Sequence, residues 1–253
     1  MKSIYLLPHY DDEIFVIPKI RQDLASGHSP LFVFFMSSPL RSNESIKFLG
    51  KLGVAKESII LLGEKFQVPD GSLLNFLPQF YTELLSQVGG EEKMVEIICP
   101  AFEGGHHDHD AISLLGRALA NSWSCEILEF FLYHGYGTKG KIYRVASPLF
   151  AEKKKTYRYS FEDRVRLLGV PFTYISQLKS MLGLWPFLVV KSILKPLVFR
   201  VSSGHSLMID SHGETPSYER WGRITEKQFI ETAMRFCEIT PIFNSNKFKT
   251  KSL

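Results

Sequence analysis

The sequence predicts an α/β fold: a Rossmann-like, mostly parallel sheet flanked by helices, with a C-terminal helical or irregular extension. Short apolar β-type runs alternate with longer stretches of helical spacing through the first 146 residues, the signature of a parallel sheet with crossover helices. That alternation fails beyond about residue 147. A length of 253 residues, with 45% hydrophobic and 22% charged residues, suits one packed domain and excludes a disordered chain. All of residues 1–253 are therefore read as one domain, with a core over 1–146, an extension over 147–243 and a disordered tail over 244–253.

The strands are expected at 3–7, 31–36, 58–62, 95–99 and 127–133, each a short apolar run. After Asp12, the positions Ile14, Ile17, Ile20 and Leu24 follow helical spacing and Gly27 supplies a stop. A second helix over 43–52 ends at Gly53 in the same way. A third, over 72–88, carries Leu73, Leu74, Leu77, Phe80, Leu84 and Leu85 and stops at Gly89-Gly90. A fourth runs from 110 to 122 through Ile112, Leu115 and Leu119. Four βα units in succession make the Rossmann-like sheet. Beyond it, 162–182 reads as helical, and 181–201 is strongly apolar but interrupted by Pro186, Lys191, Lys195 and Pro196, so it is not expected to span a membrane. It reads as a buried helix pair, with a peripheral membrane contact, a lipid-linked substrate contact or a second copy of the chain as the other readings.

The net charge of +4 is mild and its lysines and arginines are scattered, apart from Lys153-Lys154-Lys155 and the tail after Asn246, so nucleic acid is not expected as a partner. Cys99, Cys125 and Cys237 are odd in number and widely spaced, which reads as reduced thiols. The apolar run before Pro8 is too short for a secretory signal, so the expected location is the cytoplasm, with association at a membrane left open by 181–201.

In open parallel sheets ligands bind beyond the carboxyl ends of the strands. Two segments there carry chemistry: Pro8-His9-Tyr10-Asp11-Asp12-Glu13 after the first strand, and Glu103-Gly104-Gly105-His106-His107-Asp108-His109-Asp110 after the fourth. A catalytic zinc takes three protein ligands of nitrogen or oxygen type and keeps one position open. His9, Asp12 and His109 can supply them, although an N-cap with acidic first-turn residues would also account for the first segment.

PHYDDE resembles the AHPDDE signature of the PIG-L/LmbE-like deacetylase family, and HHDH resembles its second signature, HPDH or HxxH. Arg41 to Glu44 with Leu52-Gly53-Val54, Asp70-Gly71-Ser72-Leu73, and Ser176-Gln177 are similar to further family elements, in the same order over roughly residues 3 to 178. Tyr10 and His107 depart from the family's residues at their positions. The resemblance implies hydrolysis of the N-acetyl group of an N-acetylglucosamine-type sugar or glycoconjugate. It implies Zn²⁺ on His9, Asp12 and His109, where a two-histidine, one-carboxylate set also accepts Fe²⁺. Asp11 would serve as general base for the activated water, His106 would face the oxyanion and Asp108 would hold its tautomer. Arg41, Asp70 and Gln177 would contact the substrate. Each has a plainer alternative: Arg41 pairing with Glu44, Asp70 building a turn with Gly71, and Asp108 capping a helix.

The competing class, a nucleotide-binding enzyme on the same sheet, lacks its glycines. No G-x-G-x-x-G follows the first strand, and Asp11-Asp12-Glu13 would repel a pyrophosphate. A non-catalytic carbohydrate-binding relative would have no need of Asp11.

Overall fold

A computed structural model describes residues 2–88, 94–140, 142–149, 153–203 and 214–240. Five strands, β1 (Lys2–Leu7), β2 (Leu31–Phe34), β3 (Ile59–Leu61), β4 (Met94–Pro100) and β5 (Glu126–Phe130), pair in parallel in the order β3-β2-β1-β4-β5. They are mostly apolar and lack a strict alternation because helices cover both faces; Ile4, Tyr5, Leu6 and Leu7 of β1 are all fully buried. The crossovers are α1 (Ile17–Ala25), entered through a 3-10 turn at Asp12–Val16, then α2 (Pro39–Leu52), α3 (Leu62–Phe66), α4 (Leu77–Val88) and α5 (His107–Trp123). Gly53, at φ 93°, ends α2 in the left-handed conformation.

The chain builds outward from β1 through β2 to β3, then returns to place β4 on the other side of β1. The strand order reverses at β1/β4. The loops leaving those two strands therefore diverge over a crevice, which is the place where this topology binds ligands.

The extension contains a two-stranded ribbon, β6 (Tyr133–His134) with β7 (Arg144–Val145), then β8 (Lys154–Tyr157), α6 (Phe161–Leu168), α7 (Val170–Thr173), α8 (Leu178–Leu194), β9 (Leu197–Ser203), α9 (Ser217–Arg220) and α10 (Glu226–Glu238). β9 and β8 add antiparallel strands beyond β5, making a seven-stranded sheet.

Four expectations change, the first being the helix over 162–182, which divides into α6, α7 and the start of α8. The strand expected over 127–133 stops at Phe130, because the buried carboxylate of Glu103 accepts the amides of Leu132 (2.8 Å) and Tyr133 (2.9 Å) and turns the chain into β6. The helix expected over 72–88 is a 3-10 turn at Leu73–Phe76 leading into α4. The segment 181–201 is one helix and one strand, not a buried helix pair: α8 runs through Pro186, Pro196 separates it from β9, and much of α8 is exposed. The stop at Gly89-Gly90 and the 244–253 tail lie outside the described residues.

Candidate metal centre and active site

Side chains claim the backbone of the β1 loop. The amide of His9 donates to Asp12 Oδ2 (2.9 Å), the carbonyl of Tyr10 accepts from Arg41 Nη2 (2.9 Å), and the amide of Asp11 donates to Glu13 Oε2 (2.9 Å). Tyr174, brought in by the extension, donates its hydroxyl to the other oxygen of Glu13. These bonds hold Asp11 at φ 106°, a conformation that costs a non-glycine residue free energy and that survives where its surroundings over-determine it. Tyr10 itself points into the core, its ring on Phe34 and its hydroxyl on Glu64.

The β4 loop approaches by dispensing with side chains. A Cβ on Gly105 would lie 1.8 Å from the carbonyl oxygen of Tyr133, so only glycine lets the loop pass there. The carboxylate of Asp110 accepts the amides of Glu103 and Gly104, and α5 starts at His107 with His106 as its N-cap. His109 thereby lies in the first turn of α5, facing the β1 loop.

Residues His9 and His109, 100 apart in sequence, meet at 3.2 Å between Nδ1 and Nε2. Asp12 completes the triangle, with Oδ2 3.6 Å from His9 Nδ1 and Oδ1 3.8 Å from His109 Nε2. Ligands about 2.0–2.2 Å from a tetrahedral zinc stand about 3.3–3.6 Å apart, so these three side chains are spaced for one small cation. The other ring nitrogen of His9 lies 3.1 Å from Asp108 Oδ2, the carboxylate–histidine arrangement that orients a metal-binding imidazole. A second cluster, His9, Asp70, His106 and Asp108, is also close enough to share an ion. Its Asp108 is already engaged, because its oxygens accept the amides of Gly71 (2.8 Å) and Leu73 (3.1 Å). The set His9, Asp12, His109 therefore fits the metal better.

Protonation follows the same geometry. Burial pushes His109 down to about 4, against the pull of Asp12, so its imidazole is neutral as a ligand requires. Burial would lower His9 too, but Asp108, Asp12 and Asp70 outweigh it and raise it well above the usual histidine value, so a cation binding at Nδ1 would displace a proton there. Burial raises Asp11 to about 8, opposed by Arg41 and assisted by the neighbouring Asp12. Burial, with the other imidazoles and Arg223, holds His106 well below its usual value.

Arg41 reaches Asp11 Oδ1 (3.4 Å) and Asp70 Oδ2 (3.7 Å) and does not pair with Glu44, which instead accepts from the amide and hydroxyl of Ser176. Asp70 both builds the turn closed by Ser72 onto Pro69, with Gly71 at φ 81°, and extends its half-exposed carboxylate to 3.4 Å from His9 Nε2. Asp108 stands 3.9 Å from His106 Nδ1, too far for a hydrogen bond, so its contacts hold His9 and the 70–73 turn. His107 faces the carbonyl of Gly71 (2.9 Å). Gln177 bonds Ser176 on the α2 side of the rim, without a direct contact to the metal-binding triangle.

Two residues escaped the sequence reading. Arg223, in the loop between α9 and α10, places Nη1 2.9 Å from His106 Nε2. Glu13, the acceptor for both Asp11 and Tyr174, has a role only the fold reveals. The β1 motif put Glu13 in view as a residue, whereas a lone arginine far beyond the last motif carries no signal.

No family model and no curated protein matches the chain. Solved structures do. Over 80% of this chain and 98% of theirs, it is similar to the zinc-inhibited form of teicoplanin deacetylase Orf2, with a TM-score of 0.60 at 13% identity. It is similar to the A40926 pseudoaglycone deacetylase Dbv21, with a TM-score of 0.57 at 15% identity over 81% of this chain and 98% of the other. The N,N'-diacetylchitobiose deacetylase of Pyrococcus horikoshii gives a TM-score of 0.54 at 14% identity, over 84% of this chain and 87% of the other. The chain thus has the Rossmann-like fold on which these solved deacetylases are built.

Proposed function

We propose that the protein is a metal-dependent hydrolase that removes the N-acetyl group from an N-acetylglucosamine-type amino sugar or glycoconjugate. The observation that carries this reading is the convergence of His9 Nδ1, His109 Nε2 and an Asp12 carboxylate at the β1/β4 switch point, with the part-buried carboxyl of Asp11 in the same loop. The three residues would hold Zn²⁺, or Fe²⁺ in its place. A cation there supplies Lewis acidity and lowers the pKa of water.

The chain's own residues do the rest. Asp11 takes the proton from the water that attacks the acetamide carbonyl, and returns it to the sugar nitrogen as the C–N bond breaks, leaving acetate and a free amine. His106 borders the carbonyl oxygen as a neutral imidazole. Arg223, against its Nε2, is the donor that stays protonated for the charge that develops there. Asp108 positions His9. Arg41, whose Nε is buried without a partner, and half-exposed Asp70 offer a donor and an acceptor to sugar hydroxyls, with Gln177 further along the rim. In this reading 1–253 works as one unit, because the 147–243 extension supplies Tyr174 and Arg223. The fold of the solved deacetylases supports the assignment.

The test is acetate release from N-acetylated sugars presented free, nucleotide-linked and lipid-linked, with and without chelator. Release that a chelator abolishes and added zinc restores is expected. Metal-loaded protein that liberates acetate from none of them would overturn the proposal.

A further inference from the structure

Helix α8 has two apolar faces and only one of them is used. Met181 and Leu188 enter the core, while Leu182, Phe187, Val190, Ile193 and Leu194 stand in solvent, Leu194 being 71% exposed. That outer stripe runs for about 18 Å along the helix. Lys179 and Lys195 flank it at its two ends. The charged residue between them, Lys191, turns away to donate to the carbonyl of Ala146 (2.9 Å). Helix α6 lies antiparallel alongside, tied by Arg164 Nε to Ser192 O (3.1 Å) and by the Trp185 indole to Leu167 O, and it adds exposed Val165 and Leu168. Phe172, 82% exposed, and Ile175, 71% exposed, continue the surface towards the rim of the site. A soluble monomer seldom leaves so large an apolar area to water.

Charge decides what covers it. Residues 161–195, which include α6 and α8, hold five lysines and arginines against Glu162 and Asp163, giving +3 in a chain whose total is +4. A two-fold dimer through this face would bring two such segments together, and like charge opposes that contact. An anionic surface is attracted to it. Apolar side chains along one helix face, with lysines at the ends able to extend past them, suit a helix lying in the plane of a headgroup layer. Among the described residues no helix is long and apolar enough to cross a membrane. We infer that the α6–α8 face is a peripheral docking surface for an anionic lipid bilayer.

Docking would set the site beside the headgroups, since Ser176, next to Ile175, holds Glu44 one turn along α2 from Arg41. The lipid contact does not depend on the deacetylase reading and is tested apart from it. The full chain is co-sedimented with phosphatidylcholine vesicles with and without phosphatidylglycerol. Binding to the anionic vesicles that weakens with added salt is expected. The double variant Phe187→Glu/Ile193→Glu should partition about 100-fold less, with an unchanged circular-dichroism spectrum as its folding control. Lys179→Glu/Lys195→Glu, which leaves every apolar contact in place, should lose the preference for anionic over neutral vesicles. Absence of vesicle binding would overturn the inference, as would binding unaltered in both variants. So would a wild-type dimer in light scattering that Phe187→Glu/Ile193→Glu dissociates without any change in lipid binding.

Discussion

Strands β1 and β4 carry a buried polar cluster at each end, and the two clusters are opposites. At the amino ends, Lys19 sits between Asp23 (2.5 Å) and Glu96, and Asp23 also accepts from Ser3 (3.0 Å) and Tyr5 (2.6 Å). Cation meets anion: both oxygens of Asp23 and Oε1 of Glu96 accept hydrogen bonds, and Lys155 lies 4.0 Å from Oε2. At the carboxyl ends, Asp11, Asp12, Asp70 and Asp108 crowd two facing imidazoles, with arginines at the margin. Asp11 is pushed to about 8 and His109 to about 4. A closed cluster can serve only the fold. An open one, whose charges are left unbalanced, is what a cation and a substrate would complete.

If that contrast is right, changes at the open end cost function and changes at the closed end cost stability. The largest effect is expected from His109→Ala. Loss of an outer partner of a ligand costs about 10–100-fold in metal affinity, and loss of a ligand itself should exceed that. Zinc should be absent after dialysis and acetate release should vanish, with the melting temperature of the metal-free proteins nearly equal. Full zinc occupancy in this variant would show the ligand set to be wrong. Next comes Asp11→Asn, expected to keep zinc and lose about 10²–10⁴-fold in turnover, the range of a general base. Undiminished turnover would remove Asp11 from the mechanism.

At the closed end, Lys19→Met should cost about 3 kcal/mol in denaturant unfolding, the lower range for breaking a buried pair, because methionine keeps the apolar stem packed while two carboxylates lose their cation. Zinc content and turnover per folded molecule should stay as in the wild type. A variant as stable as the parent, or one that loses zinc while folded, would erase the distinction between the two ends.

The sequence made the open end legible and the closed end invisible for a physical reason. His9 to Glu13 and His106 to Asp110 are dense local runs following apolar strands, and the strand-end rule joins them without coordinates. Lys19, Asp23 and Glu96 are single charges on a helix and a strand, and only packing reveals that they meet. The first, second and fourth strands were readable because two-sided burial demands predominantly apolar runs, interrupted in the fourth by Glu96. Helix α3 was missed because Leu62–Phe66 is too short to show a period. β9 was hidden because Leu197 to Val201 extends the apolar run of α8, and burial of Phe199 beside Arg200 became visible only in the sheet. Arg223 had no pattern to betray it.

The smallest effect concerns Glu103, a carboxyl of the open end that touches neither the metal-binding triangle nor Asp11. It accepts two amides through Oε1, while Oε2 is buried without a partner. Burial raises it to about 8 from an ordinary value of 4.5. Between those values the folded state holds a proton that the unfolded chain has released, so stability is fully present below about pH 4.5 and is lost as pH rises through about 8. Glu103→Gln keeps the acceptor for both amides and cannot ionise. It should match the wild type near pH 5 and become the more stable protein by roughly 1–3 kcal/mol near pH 7 in urea unfolding. Glu96→Gln at the closed end should do the reverse near neutral pH, because there the charge is the partner of Lys19 and its removal leaves a buried cation underpaired. Opposite signs for these two substitutions would mean that one end of the sheet is balanced with its charges in place and the other without them. A stability gap for Glu103→Gln that does not change with pH would show that the carboxyl ionises freely inside the fold, and the contrast between the two ends would fail at that residue.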